Sequence, residues 1–197
     1  MKNLRKILFV ALFVALAVNA SAQLNFGIKA GVNASGFSGG DFNLNYKAGY
    51  SIGLMAHLSV PIVGIGVESG LYYSTLGAKN DDYSMNPSYL QLPILLTYRV
   101  GVGSLLSLYP SAGVYFGYGV GGSTKYQSLK MDIFGKDSDK LDTGISVGLN
   151  LQVTKIVLGI GYDYGLKSFS ISDPQIVAIS PKNLHNSSAK LTVAYIF

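Results

Sequence analysis

The stretch YKAGYSIGLMAHLSV (residues 46–60) alternates without a break between two kinds of side chain. Every second residue from Tyr46 to Val60 is apolar, and the residues between them are small or polar except for Met55. Successive side chains of a β-strand point to opposite faces. This spacing therefore predicts a strand with one wholly apolar face.

Seven further stretches show the same two-residue period, at 24–33, 64–76, 88–100, 107–119, 142–153, 156–166 and 187–197. The connections alternate in length: those at 34–45, 77–87, 120–141 and 167–186 are long and polar, whereas 61–63, 101–106 and 154–155 are short. An even number of antiparallel strands with long and short links in turn is typical of outer-membrane barrels. Residues 23–197 are therefore predicted to form an all-β domain, an eight-stranded antiparallel up-and-down transmembrane β-barrel.

A soluble lipocalin-like barrel would show the same alternation, and the charged residues separate the two. All the charged residues within the predicted strands fall on the small, polar face. Eight strands enclose only enough space for side chains to fill, so the Gly- and Ser-rich face fits the inside and the bulky face must meet lipid. His57 joins the charged residues in the predicted polar network of the lumen: Lys29, Lys47, His57, Glu68, Arg99, Asp142, Asp163 and Lys190.

Aromatic residues on the apolar face cluster near both ends of the predicted strands, as the interfacial belts of a barrel require. Tyr46, Tyr73, Tyr118 and Tyr164 lie toward the long loops, and Phe26, Tyr98, Tyr195 and Phe197 toward the short turns. The chain ends on an aromatic residue of an alternating strand, as substrates of the outer-membrane assembly machinery do. Membrane lipid and that machinery are the partners this pattern predicts.

Residues 1–22 have the pattern of a secretory signal peptide. A basic segment with Lys2, Arg5 and Lys6 precedes an apolar run over 7–18, and Ala-Ser-Ala at 20–22 supplies a cleavage site before Gln23. A membrane anchor would need about 20 apolar residues. We therefore expect export to the outer membrane of a Gram-negative cell.

The composition excludes several classes of function. Removal of residues 1–22 takes three basic residues with it, so the formal net charge falls from +5 to +2 and nucleic acid is not an expected partner. Charged residues are 13% of the chain, against about 25% in soluble domains. The chain has no Cys, which excludes disulfides and thiolate metal sites.

Several motifs resemble those of the PorT-like outer-membrane β-barrel family of Bacteroidetes. They are Ser-Ala-Gln at 21–23, GIKAGVN at 27–33, YLQLPILLTY at 89–98, GVYFGY at 113–118, DTGISVG at 142–148 and GYDYG at 161–165. The Leu-Pro motif of the fourth predicted strand is the most specific of them. The resemblance implies the fold and the membrane, but most members have no assigned activity. One relative is tied to a protein-secretion system, and a shared fold does not carry that role over.

Candidate catalytic residues are few. His57 and His185 are the two histidines of the chain, with Ser59 near the first and Ser187 and Ser188 near the second. Rim-located outer-membrane lipases and deacylases use Ser and His, but the spacing places no carboxylate beside either histidine. No catalytic residue is predicted.

Metal and cofactor motifs are equally weak. Asp81 and Asp82 are adjacent, and the segment Asp137 to Asp142 alternates oxygen-bearing side chains, but it lacks the Gly turn and terminal Glu of a calcium loop. The glycines at 119–122 follow a strand without a helix that could hold a phosphate. No metal or cofactor is predicted.

Two expectations concern the interior. Glu68 needs a cationic partner in a narrow lumen, and Arg99 on the next strand is the first candidate, with Lys29, Lys47 or His57 as alternatives. Pro93 lacks a backbone N–H, so it predicts a bulge or local irregularity.

The biological role stays open at this stage. The leading interpretation is a non-enzymatic barrel with a structural or loop-mediated binding role. A subunit of an envelope secretion or assembly complex, with an envelope protein as partner, and a rim-located lipid-modifying enzyme are the alternatives. A pore is disfavoured because eight strands leave room only for side chains, and five large ones are predicted to point inward: Tyr72, Tyr109, Tyr115, Arg99 and Lys29.

Overall fold

A computed structural model describes residues 23–38, 45–60, 63–79, 83–102, 106–126, 129–132, 140–167 and 185–197. The predicted signal peptide, residues 1–22, lies outside the described residues, as do the central parts of the long connections.

Eight long antiparallel strands form a closed barrel. They are β1 (Gln23–Ser38), β2 (Asn45–Val60), β3 (Ile65–Thr75), β4 (Tyr83–Tyr98), β5 (Leu106–Tyr126), β6 (Leu141–Val153), β7 (Ile156–Gly165) and β8 (His185–Ile196). Each strand pairs with the next, and β8 pairs with β1. The predicted fold class is confirmed. No helix in the described ranges is long and apolar enough to cross a membrane.

Several strands continue further at the loop end than their apolar alternation predicts. β1 reaches Ser38, β4 begins at Tyr83, and β5 runs to Tyr126, so the first part of the predicted connection 120–141 is strand. The reason is physical: apolar alternation ends where the outer face leaves lipid, but backbone pairing needs no apolar side chains.

Three short segments extend this pairing. Ala78–Lys79 bridges β2 and β4, Val100–Val102 pairs with the start of β5, and Leu129–Asp132 folds back on its end.

The register can be followed once around the barrel through paired inward-facing positions. The path begins at Asn25 and passes through His57, Glu68, Leu95, Gly113, Ser146, Asp163 and Ser188. It returns to β1 at Ser35, ten residues beyond its start. A stagger of this kind accompanies the steep strand tilt that closes an eight-stranded barrel around a narrow interior.

The two faces of the wall have opposite character. On β2, Leu54 is 64% exposed while the adjacent Met55 is 4% exposed. In the described residues, buried polar and charged side chains outnumber buried hydrophobic ones, and large apolar side chains cover the outside. Such a surface needs lipid around it.

A local irregularity occurs at Pro93, as the sequence predicts. The β3–β4 ladder lacks the pairs between Ser69–Ile94 and Tyr72–Gln91 but keeps its register, and the Ser69 hydroxyl donates to the Pro93 carbonyl at 2.8 Å. The register shift of β4 lies between Ser88 and Tyr89, on its β5 side. The local irregularity expected at Pro93 is therefore confirmed as a gap in the ladder, whereas the register shift lies elsewhere on the strand.

Candidate functional site: the polar lumen

The first ion pair of the lumen joins Lys29 of β1 to Glu68 of β3. The two strands are not neighbours. On β2, Lys29 pairs with Gly53 and Glu68 pairs with His57, so the ion pair crosses β2 obliquely. Both side chains are buried, with 11% and 7% of their surfaces exposed. A basic nitrogen therefore contacts Glu68, as a narrow interior requires.

Arg99 was the first candidate for this partner, and that prediction is wrong. Glu68 pairs in the backbone ladder with Leu95, so Arg99 lies four residues further along, about 13 Å at 3.3 Å per residue. It follows the end of β4 and is exposed at the rim formed by the short turns. Its Nε donates to the Ser107 hydroxyl at 3.0 Å.

The second ion pair joins Lys190 of β8 to Asp163 of β7. Asp163 is 2% exposed, and its Oδ1 also accepts a hydrogen bond from the Ser146 hydroxyl at 2.7 Å. A buried carboxylate with both a cation and a hydroxyl donor is well compensated for its lost hydration.

Asp142 lies nearer the loop end of the lumen. Its Oδ2 accepts long hydrogen bonds from the Tyr115 hydroxyl at 3.3 Å and the Asn186 amide at 3.4 Å. Tyr115 is 1% exposed, and Asp142 itself is buried. Two neutral donors thus hold this carboxylate.

His57 lies at the opposite end, near the short turns. Its Nε2 shares a hydrogen bond of 2.9 Å with the Thr97 hydroxyl, and its ring meets the edge of Tyr109 at 5.6 Å between centroids. All three side chains are buried. They form a buried cluster near the short turns rather than an accessible site.

Among the strand residues whose side-chain burial is described, the inward-facing charges balance. Lys29, Lys47 and Lys190 oppose Glu68, Asp142 and Asp163; Lys47 is half-buried at the loop end of β2. A lumen without net charge avoids much of the cost of burying isolated ions.

A chamber of about 80 Å³ lies between the two ion pairs. It is lined by Lys29, Glu68, Tyr72, Tyr115, Asp163 and Lys190, among others. Glycines leave room for its two rings: a Cβ at Gly70 would lie 2.7 Å from the Tyr72 hydroxyl, and one at Gly144 would collide with the Tyr115 ring.

The predicted interfacial aromatics lie on the outer wall. Tyr164 is half-buried; the other seven, Phe26, Tyr46, Tyr73, Tyr98, Tyr118, Tyr195 and Phe197, are exposed. Tyr164 stacks on His185 with 5.7 Å between ring centroids, and Nδ1 of His185 contacts the Gly165 carbonyl at 3.0 Å. His185, the first residue of β8, therefore packs against an aromatic side chain.

The sequence missed the neutral partners of the lumen. Thr97, Ser146 and Asn186 each bond an inward ionisable side chain. Their parity within alternating strands placed Thr97 and Ser146 on the inner face, but only the register shows which side chain each one meets.

Groups of His, Asp and Glu that could hold a metal ion do not occur in the part of the chain that the structure describes. Asp81, Asp82, Asp137 and Asp139, considered above for calcium, lie outside it.

The family model described as outer-membrane protein β-barrel domain matches residues 7–197. The chain belongs to the outer-membrane protein β-barrel domain family. Its place is therefore the outer membrane, where the apolar outer wall of the barrel contacts lipid.

Solved structures show the same fold for this family member. Neisserial surface protein A is similar with a TM-score of 0.55 and 13% identity, covering 90% of this chain and 99% of that one. Ail, the attachment invasion locus protein of Yersinia pestis, is similar with a TM-score of 0.50 and 14% identity, covering 88% and 98%. No curated protein matches the chain.

Proposed function

We propose that this barrel is a non-enzymatic integral outer-membrane protein that acts through its four long loops. The observation that carries the proposal is the filled lumen. Ion pairs, tyrosine rings and the buried His57–Tyr109 contact occupy the interior, and an eight-stranded barrel has little room beyond its inward side chains. A role in binding then belongs to the segments outside the membrane.

The distribution of charge in the sequence supports the loops as the binding surface. Every acidic residue outside the lumen lies in a long connection: Asp41, Asp81, Asp82, Asp132, Asp137, Asp139 and Asp173. The short connections between the observed strands carry only Arg99 and Lys155 as charged residues. Charged groups of both signs are therefore concentrated on one side of the membrane, where they can recognise a polar partner.

The histidines give little support to catalysis. His57 is buried inside the barrel, bonded to Thr97 and packed on Tyr109, which leaves little of it accessible to a lipid substrate. His185 packs against Tyr164, and its Nδ1 contacts a backbone carbonyl. Neither environment provides an activated nucleophile.

The finer assignments belong to the same proposal. We infer that residues 1–22 direct export, and that the chain is a PorT-like member from Bacteroidetes, on the motifs at 27–33 and 89–98. The second candidate role is that of a subunit in an envelope secretion or assembly complex, which the basic turns at Arg99 and Lys155 would favour.

Site-specific photo-crosslinking in whole cells tests the proposal. A photoreactive residue is placed at Ser170 in the last long connection, and a matched one at Lys155 in a short turn. Crosslinks from position 170 to a surface molecule, with none from 155, are expected. Crosslinks to an envelope protein from 155 alone would favour the complex subunit instead. A change in the lipid A mass spectrum of a deletion strain, restored by the wild-type chain, would contradict the non-enzymatic role.

A further inference from the structure

Lys155 is a basic residue on the lipid-facing side of the short-turn rim. It lies in the two-residue connection between β6 and β7, and its Nζ is placed over the Tyr195 ring, 5.8 Å from the centroid. Tyr195 is exposed on the outer wall and belongs to the aromatic belt at this end of the barrel. The ammonium group therefore lies beside the membrane interface and not over the lumen.

The backbone ties Lys155 to the strand that carries this ring. Thr154 has a left-handed φ of 53°, which gives the connection its tight turn. The Lys155 carbonyl accepts a hydrogen bond from the Ile196 N–H at 2.8 Å, so the turn is joined to the end of β8. Lys155 and Tyr195 are therefore held together by backbone contacts as well as by the contact between cation and ring.

An apolar surface continues from Lys155 along the outer wall. It consists of exposed, outward-facing side chains of β6, β7 and β8: Val153, Ile156, Leu158, Val193 and Tyr195. A cation at the edge of an apolar, lipid-facing surface matches an amphiphile with an anionic headgroup. The headgroup can contact the ammonium while the acyl chains cover the apolar side chains.

The charges of this rim favour an anionic headgroup over a neutral one. Within the described ranges, Lys155 forms no salt bridge. The sequence places no Asp or Glu in the connections 61–64, 99–105 and 154–155. Arg99, the other cation of the rim, donates from Nε to the hydroxyl of Ser107, a buried residue of the inner face. Lys155 is thus the cation of this rim that is held against the lipid-facing wall.

We propose that Lys155 and Tyr195 form a binding site for an anionic phospholipid of the periplasmic leaflet, the leaflet that the short turns of an outer-membrane barrel face. The lipid phosphate contacts the Lys155 ammonium, and its acyl chains lie along Ile156 and Leu158. One basic residue near an anionic membrane surface gives about a fivefold preference for the charged lipid. The barrel would therefore retain a particular class of lipid at one position on its circumference.

Native mass spectrometry of the mature chain, refolded in detergent micelles, tests this site. Titrations with dioleoyl phosphatidylglycerol and with dioleoyl phosphatidylcholine give the ratio of the two association constants. Heat-dependent gel mobility establishes that each variant is folded. We expect the wild type to prefer phosphatidylglycerol, Lys155→Gln to lower the ratio about fivefold, and Lys155→Arg to preserve it.

Arg99→Gln is the matched control, because it removes the same charge from the same rim. Its guanidinium is held toward the inner face by Ser107, so this variant should keep most of the wild-type preference. An equal fall for Arg99→Gln and Lys155→Gln would mean that net charge alone sets the preference, and the site would be disproved. A wild-type chain that binds the two lipids equally would overturn it as well.

Discussion

Lys29 of β1 and Glu68 of β3 form an ion pair that crosses the intervening strand β2. Removing one partner leaves the other as a buried unpaired charge, which costs about 3–5 kcal/mol. We expect Lys29→Met to lower the stability of the vesicle-embedded barrel by about this amount, as measured by urea unfolding.

Two variants control this prediction. Combining Lys29→Met with Glu68→Gln should recover most of the loss, because no unpaired charge remains. Arg99→Gln, at the exposed rim, should cost less than about 1 kcal/mol. A loss from Arg99→Gln as large as that from Lys29→Met would contradict the observed pairing.

Gly144 leaves space for the buried Tyr115 ring. Gly144→Ala places a methyl group against that ring and against the Tyr164 carbonyl, so overpacking should destabilise the barrel by about 1–3 kcal/mol. Gly101→Ala is the matched control, since a Cβ there meets no atom within 4 Å. Equal unfolding midpoints for the two variants would argue against the described packing of Tyr115.

Leu54 tests the lipid-facing wall. It lies mid-way along β2 and is 64% exposed, so Leu54→Arg should cost about 2–4 kcal/mol, the penalty for a cation at the bilayer midplane. Tyr46→Arg, at the loop end of the same strand, should cost at most about 1 kcal/mol. The measurement is refolding into vesicles at increasing urea, and a reversed order of the two costs would count against the assigned membrane position.

The filled lumen predicts electrical silence. The wild-type barrel should give no steady nanosiemens-scale conductance in planar bilayers, because tyrosine rings and ion pairs occupy its interior. The double variant Tyr72→Ala with Tyr115→Ala should pass more current than the wild type. Stable large channels from the wild type would disprove the filled lumen.

The segment before Gln23 should be absent from the mature protein. Mass spectrometry of envelope-extracted chains should identify Gln23, cyclised or not, as the N-terminus, because small residues at 20–22 form the cleavage site. An intact Met1 form as the main species would refute cleavage.

Alternation predicted the faces of the wall but not the contacts inside it. The period of two placed Glu68, Asp163 and Lys29 on the inner face, because successive side chains of a strand point to opposite faces. The partner of Glu68 depended on register, which follows from turn geometry as well as from pattern. A count along β4 could not distinguish Leu95 from its neighbour as the residue opposite Glu68, nor show that Lys29 reaches across β2.

The strand extensions were also beyond a pattern of apolar residues. β1 and β5 continue through Gly, Ser and Thr positions whose backbone groups still pair. Nothing in the apolar content of these segments separates a strand above the membrane from a loop.

The row of paired inward residues that begins at Asn25 on β1 meets β1 again at Ser35, ten residues further along. Because the sheet is closed, none of the eight long strands lies at a free edge. A strand in an open sheet can slide past one neighbour while the opposite edge absorbs the change. Here each strand pairs on both sides within one closed sheet. A change of register between any two strands therefore changes the total stagger of the barrel. Because a one-residue slip would also turn each inner side chain toward lipid, only steps of two residues preserve the faces. Pairing errors in this barrel are therefore expected in steps of two residues. Each such error changes the stagger of all eight strands, so the register of one strand depends on that of the others.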